Sequence, residues 1–281
     1  MGSYNKNGTL INPAFAKSGQ PIATTYSVEG EKSRPIRVMT YNVGGWYDGK
    51  GTNVPSAKDQ EYFNLQYSTI VDNDPDILFI NEYRDQFSQK PITAMSFLSE
   101  RFPYIMHCKG TETVLGRCIC SKFPLSQYVE HYYGDAPDER YYDSCYAEID
   151  GRLVTLVITF FWYDSTDIRA SEAQTLVAFL QSLDTPFICA GDLNAARIVD
   201  NTQVIKVFLD AGYDVANRAN YGSHITYADT IGSGGYCAVD NVIISPDFTF
   251  VNIRNDDRKL HDEITTETAD HLPLVVDLMF K

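Results

Sequence analysis

The sequence predicts an α/β domain built as a four-layer sandwich, two packed mixed β-sheets flanked by helices. Three observations carry that expectation. Strand-like apolar runs alternate with helical periodicity early in the chain, the later part is richer in strands, and run after run ends in an acidic or amide residue.

The first 33 residues stand apart from this pattern. Gly8, Gly19 and Gly30 lie eleven residues apart, and Tyr4, Phe15 and Tyr26 each precede their glycine by four. Each unit reads as an aromatic, three polar or small residues and a glycine turn, which suits short strands joined by tight turns. Three such units bury little core. The extension 1–33 is therefore expected to lean on another subunit or a surface. The competing reading is a flexible tail with chance spacing.

From Arg34 to Lys281 the chain reads as one domain. Strands are expected over 36–43, 76–83, 115–120, 144–150, 153–162, 186–194, 239–245 and 272–280, where β-branched and aromatic residues cluster. Apolar spacing of three and four predicts helices near 58–73, 92–101, 169–183 and 202–211. Pro75, Pro186 and the glycine-rich stretch 232–235 mark connections between them.

Composition narrows the function classes. The chain has 281 residues, 44% of them hydrophobic, enough for a sizeable core. Its net charge of −14 argues against a general electrostatic grip on nucleic acid, since phosphate contacts need basic surface. A bound cation could still supply positive charge locally. None of the six cysteines falls in a CxxC pair, and they are expected to be free and buried; Cys118 and Cys120 should share one strand face. No apolar run is long enough to span a bilayer, and the N-terminus lacks the apolar core of a signal peptide.

The strand ends carry the chemistry. Apolar runs terminate at Asn42, Glu82, Asp192 with Asn194, Asp240, and Asp270 with His271. A lone strand-end Asp or Asn more often forms a turn or caps a helix, and a lone His is more often structural. Polar groups converging from several strand ends are, however, what a cleft between sheets requires. Carboxylates suit a hard cation such as Mg²⁺, and phosphodiester hydrolysis needs a positioned water, a base for it and donors for the developing oxyanion.

In order and spacing, MTYNV (39–43), FINE (79–82), AGDLNA (190–195), VDNVIIS (239–245) and ADHLPL (269–274) resemble the motifs of the endonuclease/exonuclease/phosphatase superfamily. LGRCICSKFPL (115–125) and RASEAQTLVAFLQSL (169–183) resemble its intervening strand and helix, so the likeness covers about 36–280. The resemblance implies that Glu82 is the principal ligand of Mg²⁺ or Mn²⁺, helped by Asn42 and Asp270. It implies that Asp192 orients or deprotonates the attacking water and that Asn194 holds Asp192 and donates to the phosphoryl oxygen. Asp240 would fix the tautomer of His271, which contacts the scissile phosphate or acts as the base. Arg140 and Tyr163 are candidates for substrate contact, though Arg140 also reads as a solvated charge among Asp138, Glu139 and Asp143. One departure stands out: Phe160 occupies the place where family members carry His or Tyr, and it cannot donate a hydrogen bond.

Three functions compete. The first is a metal-dependent nuclease acting on DNA. The second is a phosphoesterase acting on a small phosphate or a phospholipid head group; the aromatic segment FFWYD (160–164) suits an apolar substrate or a base-stacking surface equally well. The third is a binding or structural module, displayed on a particle or cell surface, that kept the fold and lost activity; Phe160 favours it and the intact metal and water-positioning set opposes it.

Overall fold

A computed structural model describes residues 3–4, 10–11, 34–46, 57–85, 93–108, 115–134, 141–219, 226–228, 236–256 and 271–281. Along the chain come β1 (Ser3–Tyr4), β2 (Leu10–Ile11), β3 (Ile36–Asn42), helix α1 (Ala57–Asn73), β4 (Ile77–Tyr83), α2 (Ala94–Arg101), β5 (Tyr104–Cys108) and β6 (Gly116–Ser121). Then follow β7 (Leu125–Tyr132), β8 (Tyr141–Ile149), β9 (Arg152–Phe160), α3 (Thr166–Gln181), β10 (Phe187–Asp192), α4 (Lys206–Asp210) and β11 (Asp214–Val215). The short pair β12 (Tyr227–Ala228) and β13 (Tyr236–Cys237) precedes β14 (Asp240–Ile244), β15 (Phe248–Asn255) and β16 (Leu274–Phe280).

The strands form two large mixed sheets. One runs β15-β16-β3-β4-β6-β5-β1-β2 and the other β11-β14-β10-β9-β8-β7. In the first sheet β3 and β4 are parallel while β16 and β6 flank them antiparallel; in the second, only β9 and β10 are parallel. What is described of the N-terminal extension is an antiparallel pair, β1 with β2, that prolongs the first sheet through Ser3↔Met106 and Tyr4↔Ile105. Phe15, Gly19, Tyr26 and Gly30 lie outside the described residues.

Alternation along each strand sorts side chains into layers. Val38, Ile77 and Phe79 from one sheet meet Leu156, Ile158, Ile188, Ala190 and Val242 from the other in a single inter-sheet core. Their neighbours Met39, Leu78 and Ile80 face outward onto α1 and α2 with Phe63 and Leu98. On the far side, Val157, Cys189 and Ile243 pack against Leu176, Leu180 and Phe208 of α3 and α4. The result is the expected four layers. Five described cysteines, at 118, 120, 145, 189 and 237, are free and buried, and Cys118 and Cys120 share one face with their sulfurs 3.7 Å apart.

Local boundaries differ from the sequence reading where side chains intervene. Helix α3 begins three residues earlier than its apolar spacing suggests, because the Ser165 hydroxyl accepts the Ile168 N–H and caps it there. The expected helix at 202–211 is split into a π-turn over Asn201–Ile205 and the short α4. Strands β5, β7, β11, β12, β13 and β15 fall outside the expected runs; β7 and β15 are half-exposed edge strands whose apolar content is diluted by polar residues. No helix among the described residues is long and apolar enough to cross a membrane.

Candidate active site

The polar strand ends meet at one end of the inter-sheet core. Asn42 closes β3 on the same face as Val38, and Asp192 closes β10 on the same face as Ile188 and Ala190. Asp240 opens β14 opposite Asp192 in the antiparallel register, on the face of Val242. All three are buried, at 3%, 1% and 0% exposure. Each would be costly there without polar partners.

Glu82 reaches the same cleft by a backbone device. Strict alternation in β4 would send Glu82 outward with Leu78 and Ile80. Its φ of +52° and a register shift against β6 between Ile80 and Tyr83 break the alternation. Tyr83 consequently joins the outer cluster, while Asn81 and Glu82 both bond groups on the inner side. Strained backbone of this kind persists where the surroundings fix it, often at functional sites.

Asn42 is the hub of the cluster. Its amide nitrogen lies 2.9 Å from Glu82 Oε1, 3.2 Å from Asp192 Oδ2 and 3.4 Å from His271 Nε2, while its Oδ1 accepts the Gly44 N–H. His271, 5% exposed, sets its Nδ1 2.7 Å from Asp240 Oδ2. An Nδ1–H donated to Asp240 leaves Nε2 as acceptor for Asn42, and Nε2 stands 3.7 Å from Asp192 Oδ2. Asp192 Oδ1 takes the backbone N–H of Asn194 at 2.7 Å, and Asn194, at φ +48°, turns its amide to donate to the Phe161 carbonyl.

Three supports were not foreseen in the sequence. Asn81, fully buried, donates to the Thr159 carbonyl and accepts the Asp192 N–H, so it ties the two sheets together beneath the site. Thr226 takes the Val239 and Asp240 N–H groups on its hydroxyl and the Leu272 N–H on its carbonyl. Tyr227 forms a β-bridge with His271 and lays its ring 5.1 Å from the imidazole. An asparagine beside Glu82 in FINE is the one trace the sequence offers, since a buried amide at a strand end must find partners.

The electrostatics are those of an anionic nest. Burial and the negative charge of Asp240 push the Asp192 carboxyl up to about 7, against the pull of His271 and the Asn194 N–H. Asp240 Oδ1 is buried without a hydrogen-bond partner among the described residues. Neither Asp192 nor Asp240 pairs with a lysine or arginine there. Ligand atoms of Asp192, Asp240 and His271 lie within 4.8 Å of one another and could hold a metal ion. With Glu82 Oε1 and Asp192 Oδ2 on the same Asn42 amide, the whole cluster is rich in carboxylate oxygen, which suits a hard divalent cation at its Glu82 end as well.

The other expected site residues divide. Phe160 ends β9 opposite Asp192 in the parallel register, on the inward face of Leu156 and Ile158, so an apolar ring adjoins the cluster. Tyr163 is 66% exposed on the loop that follows. Asp270 and Arg140 lie outside the described residues.

Residues 39–271 match the model of the Endonuclease/Exonuclease/phosphatase family. No curated protein matches the sequence. Among solved structures, the endonuclease/exonuclease/phosphatase from Beutenbergia cavernae is similar with a TM-score of 0.66 at 17% identity, over 88% of this chain and 72% of that one. The human Nocturnin catalytic domain with bound sulfate gives 0.63 at 18% identity, covering 88% and 94%. D. rerio TDP2 complexed with a single-strand DNA product gives 0.64 at 12% identity, covering 88% and 100%. At these identities the likeness is one of fold.

Proposed function

Since the chain belongs to the endonuclease/exonuclease/phosphatase family, we propose that it is a divalent-metal-dependent phosphodiesterase that hydrolyses nucleic-acid phosphodiester bonds with an activated water. The observation that carries the reading is the convergence of Asn42, Glu82, Asp192, Asp240 and His271 from both sheets on one buried, anionic cluster.

Glu82 with Asn42 would hold Mg²⁺ or Mn²⁺, with Asp270 as third member. The ion would polarise the phosphate and offset its charge. Taking the Asn42 oxygen as a ligand beside Glu82 would require its amide to turn, because its nitrogen now faces Glu82 Oε1. Asp192 accepts the proton of the attacking water, a role suited to a carboxyl held near 7. The Asn194 N–H fixes the orientation of Asp192, and its side-chain amide donates toward the phosphoryl oxygen. Asp240 holds the His271 ring with Nε2 toward Asp192, where His271 meets the phosphate. Arg140 and Tyr163 are assigned to substrate contact. DNA is the leading substrate, in keeping with the single-strand DNA product held by D. rerio TDP2, a structural neighbour.

Phe160 favours a second reading, a weakened or lost activity, because the side chain at the β9 position opposite Asp192 offers no hydrogen-bond donor. One experiment separates these. Turnover of plasmid DNA, RNA, a lipid phosphodiester and a phosphomonoester is measured in parallel with Mg²⁺, Mn²⁺ or chelator. Metal-dependent cleavage of a nucleic acid supports the nuclease; lipid or monoester turnover alone moves the substrate; no turnover by any of them removes the catalytic reading.

A further inference from the structure

The loop after β9 and the loop after β10 leave the sheet beside Phe160 and Asp192, and they are fastened to each other from within. Arg169, 1% exposed, donates from Nη1 to the carbonyls of Trp162 at 3.2 Å and Tyr163 at 2.8 Å. Its Nε and Nη2 bind Asp200, which is fully buried, and Asp200 Oδ2 accepts the Arg197 N–H at 2.8 Å. Glu172, also 1% exposed, accepts the Trp162 N–H at 2.9 Å. Outside, Arg197 Nη2 donates to the Asp164 carbonyl at 3.2 Å.

Burying an ion pair is costly unless its hydrogen bonds are completed. Here the completing bonds include three backbone groups of the two surface loops, and Glu172 takes a fourth. The construction therefore holds those loops still, and what they display is specific. Tyr163 projects into solvent with its ring 5.1 Å from that of half-buried Trp162, tilted by 32°. Beside it the exposed guanidinium of Arg197 is held by Asp164, with Ile198 next to it, 73% exposed.

We propose that Tyr163 and Trp162 form a stacking ledge for an unpaired base of single-stranded nucleic acid next to the scissile phosphodiester, with Arg197 meeting a flanking phosphate. The inference rests on the phosphodiesterase reading above and names its substrate form. A net charge of −14 argues against a general electrostatic grip on a long phosphate backbone, so stacking would supply much of the binding, and every base has a face to offer. A base paired within a duplex is stacked already and cannot lie on the ledge. Ile198 and Tyr163 would also suit the surface of a lipid bilayer, which serves as the competing outcome.

The test uses the full chain with Mg²⁺, a single-stranded oligothymidylate, the same strand carrying abasic sites, and phosphatidylcholine vesicles. Tyr163→Ala should raise KM for oligothymidylate roughly fivefold to a hundredfold with kcat retained, the range expected on losing one base–aromatic stack. The abasic strand should change severalfold less. Tyr163→Phe should restore the wild-type KM and Tyr163→Leu should not, since only the first keeps a planar ring. Equal losses on both strands, rescue by leucine, or vesicle binding that Tyr163→Ala abolishes would overturn the ledge. Should no substrate be cleaved, the phosphodiesterase reading fails separately. The ledge is then decided by quenching of tryptophan fluorescence with oligothymidylate in chelator: a matching loss of affinity in Tyr163→Ala supports it, and unchanged or absent binding removes it.

Discussion

Asp192→Asn should trade activity for stability, and the size of the trade follows from the site. In the metal-free protein the Asp192 carboxyl is raised from its ordinary 3.8 to about 7 by burial and by Asp240. Holding that carboxylate ionised corresponds to ~4 kcal/mol against the folded state. The sign is that of a raised carboxyl. The folded protein keeps its proton to higher pH than the unfolded chain, so this contribution to stability is complete below about pH 4 and is lost as pH rises to about 7. Asparagine removes the charge at every pH. It can satisfy either the Asn42 amide or the Asn194 N–H through its one oxygen, and the mismatch at the other costs ~1–3 kcal/mol. The variant should therefore be more stable than wild type by ~1–3 kcal/mol at pH 8 and no more stable at pH 5, while turnover falls by ~10²-fold or more. Urea unfolding in chelator at the two pH values measures the first part and Mg²⁺-supported turnover the second. A wild-type protein whose stability does not decline between pH 4 and 7, or a variant less stable at pH 8, would refute the account of the buried carboxylate.

Glu82→Gln should lower metal-supported turnover by ~10²–10³-fold and leave the melting temperature nearly unchanged, because the side chain is only part-buried and glutamine keeps an oxygen to accept the Asn42 amide; circular dichroism beside the activity assay checks both. Wild-type turnover in excess chelator would end the metal mechanism. Phe160→His should raise turnover, by up to ~10²-fold, if the missing donor limits the rate, with Phe160→Tyr tested beside it; loss of turnover in both would mean that another group already serves. Gly191→Ala should destabilise the fold by about 4 kcal/mol or more. At φ +148° an added Cβ would lie 2.0 Å from the Thr159 carbonyl oxygen, and wild-type thermal stability in that variant would contradict the β9–β10 packing.

The architecture was legible because the central strands of both sheets are covered on both faces, which leaves near-continuous apolar runs with abrupt polar ends. Asn42, Glu82, Asp192, Asp240 and His271 could be picked out as strand-end chemistry, and the structure brings them together. Their supports could not. Asn81 works by meeting the backbone of Asp192, 111 residues away, and Thr226 by meeting Val239 and Asp240 across a turn. Neither contact leaves a periodic trace. The parity break that turns Glu82 inward was hidden for a related reason: FINEY reads as an unbroken strand, and only the positive φ at Glu82 reveals the bulge. Edge strands β7 and β15 escaped notice because one-sided burial needs fewer apolar residues.

The order of strands in the first sheet has a consequence for how the protein comes into being. Strand β16 lies between β15 and β3, and Arg37 and Asp277, 240 residues apart, pair across that junction. A ribosome delivers β3 about 240 residues before its antiparallel neighbour. Until β16 inserts, β3 presents a bare edge able to pair with another molecule. Asn42, at the end of that strand, would sit in a sheet still open beside it. Contacts so distant in sequence form slowly. The nascent chain would thus keep the strand-end cluster incomplete until β16 emerges, and any break in the chain ahead of Leu274 would leave an adhesive fragment.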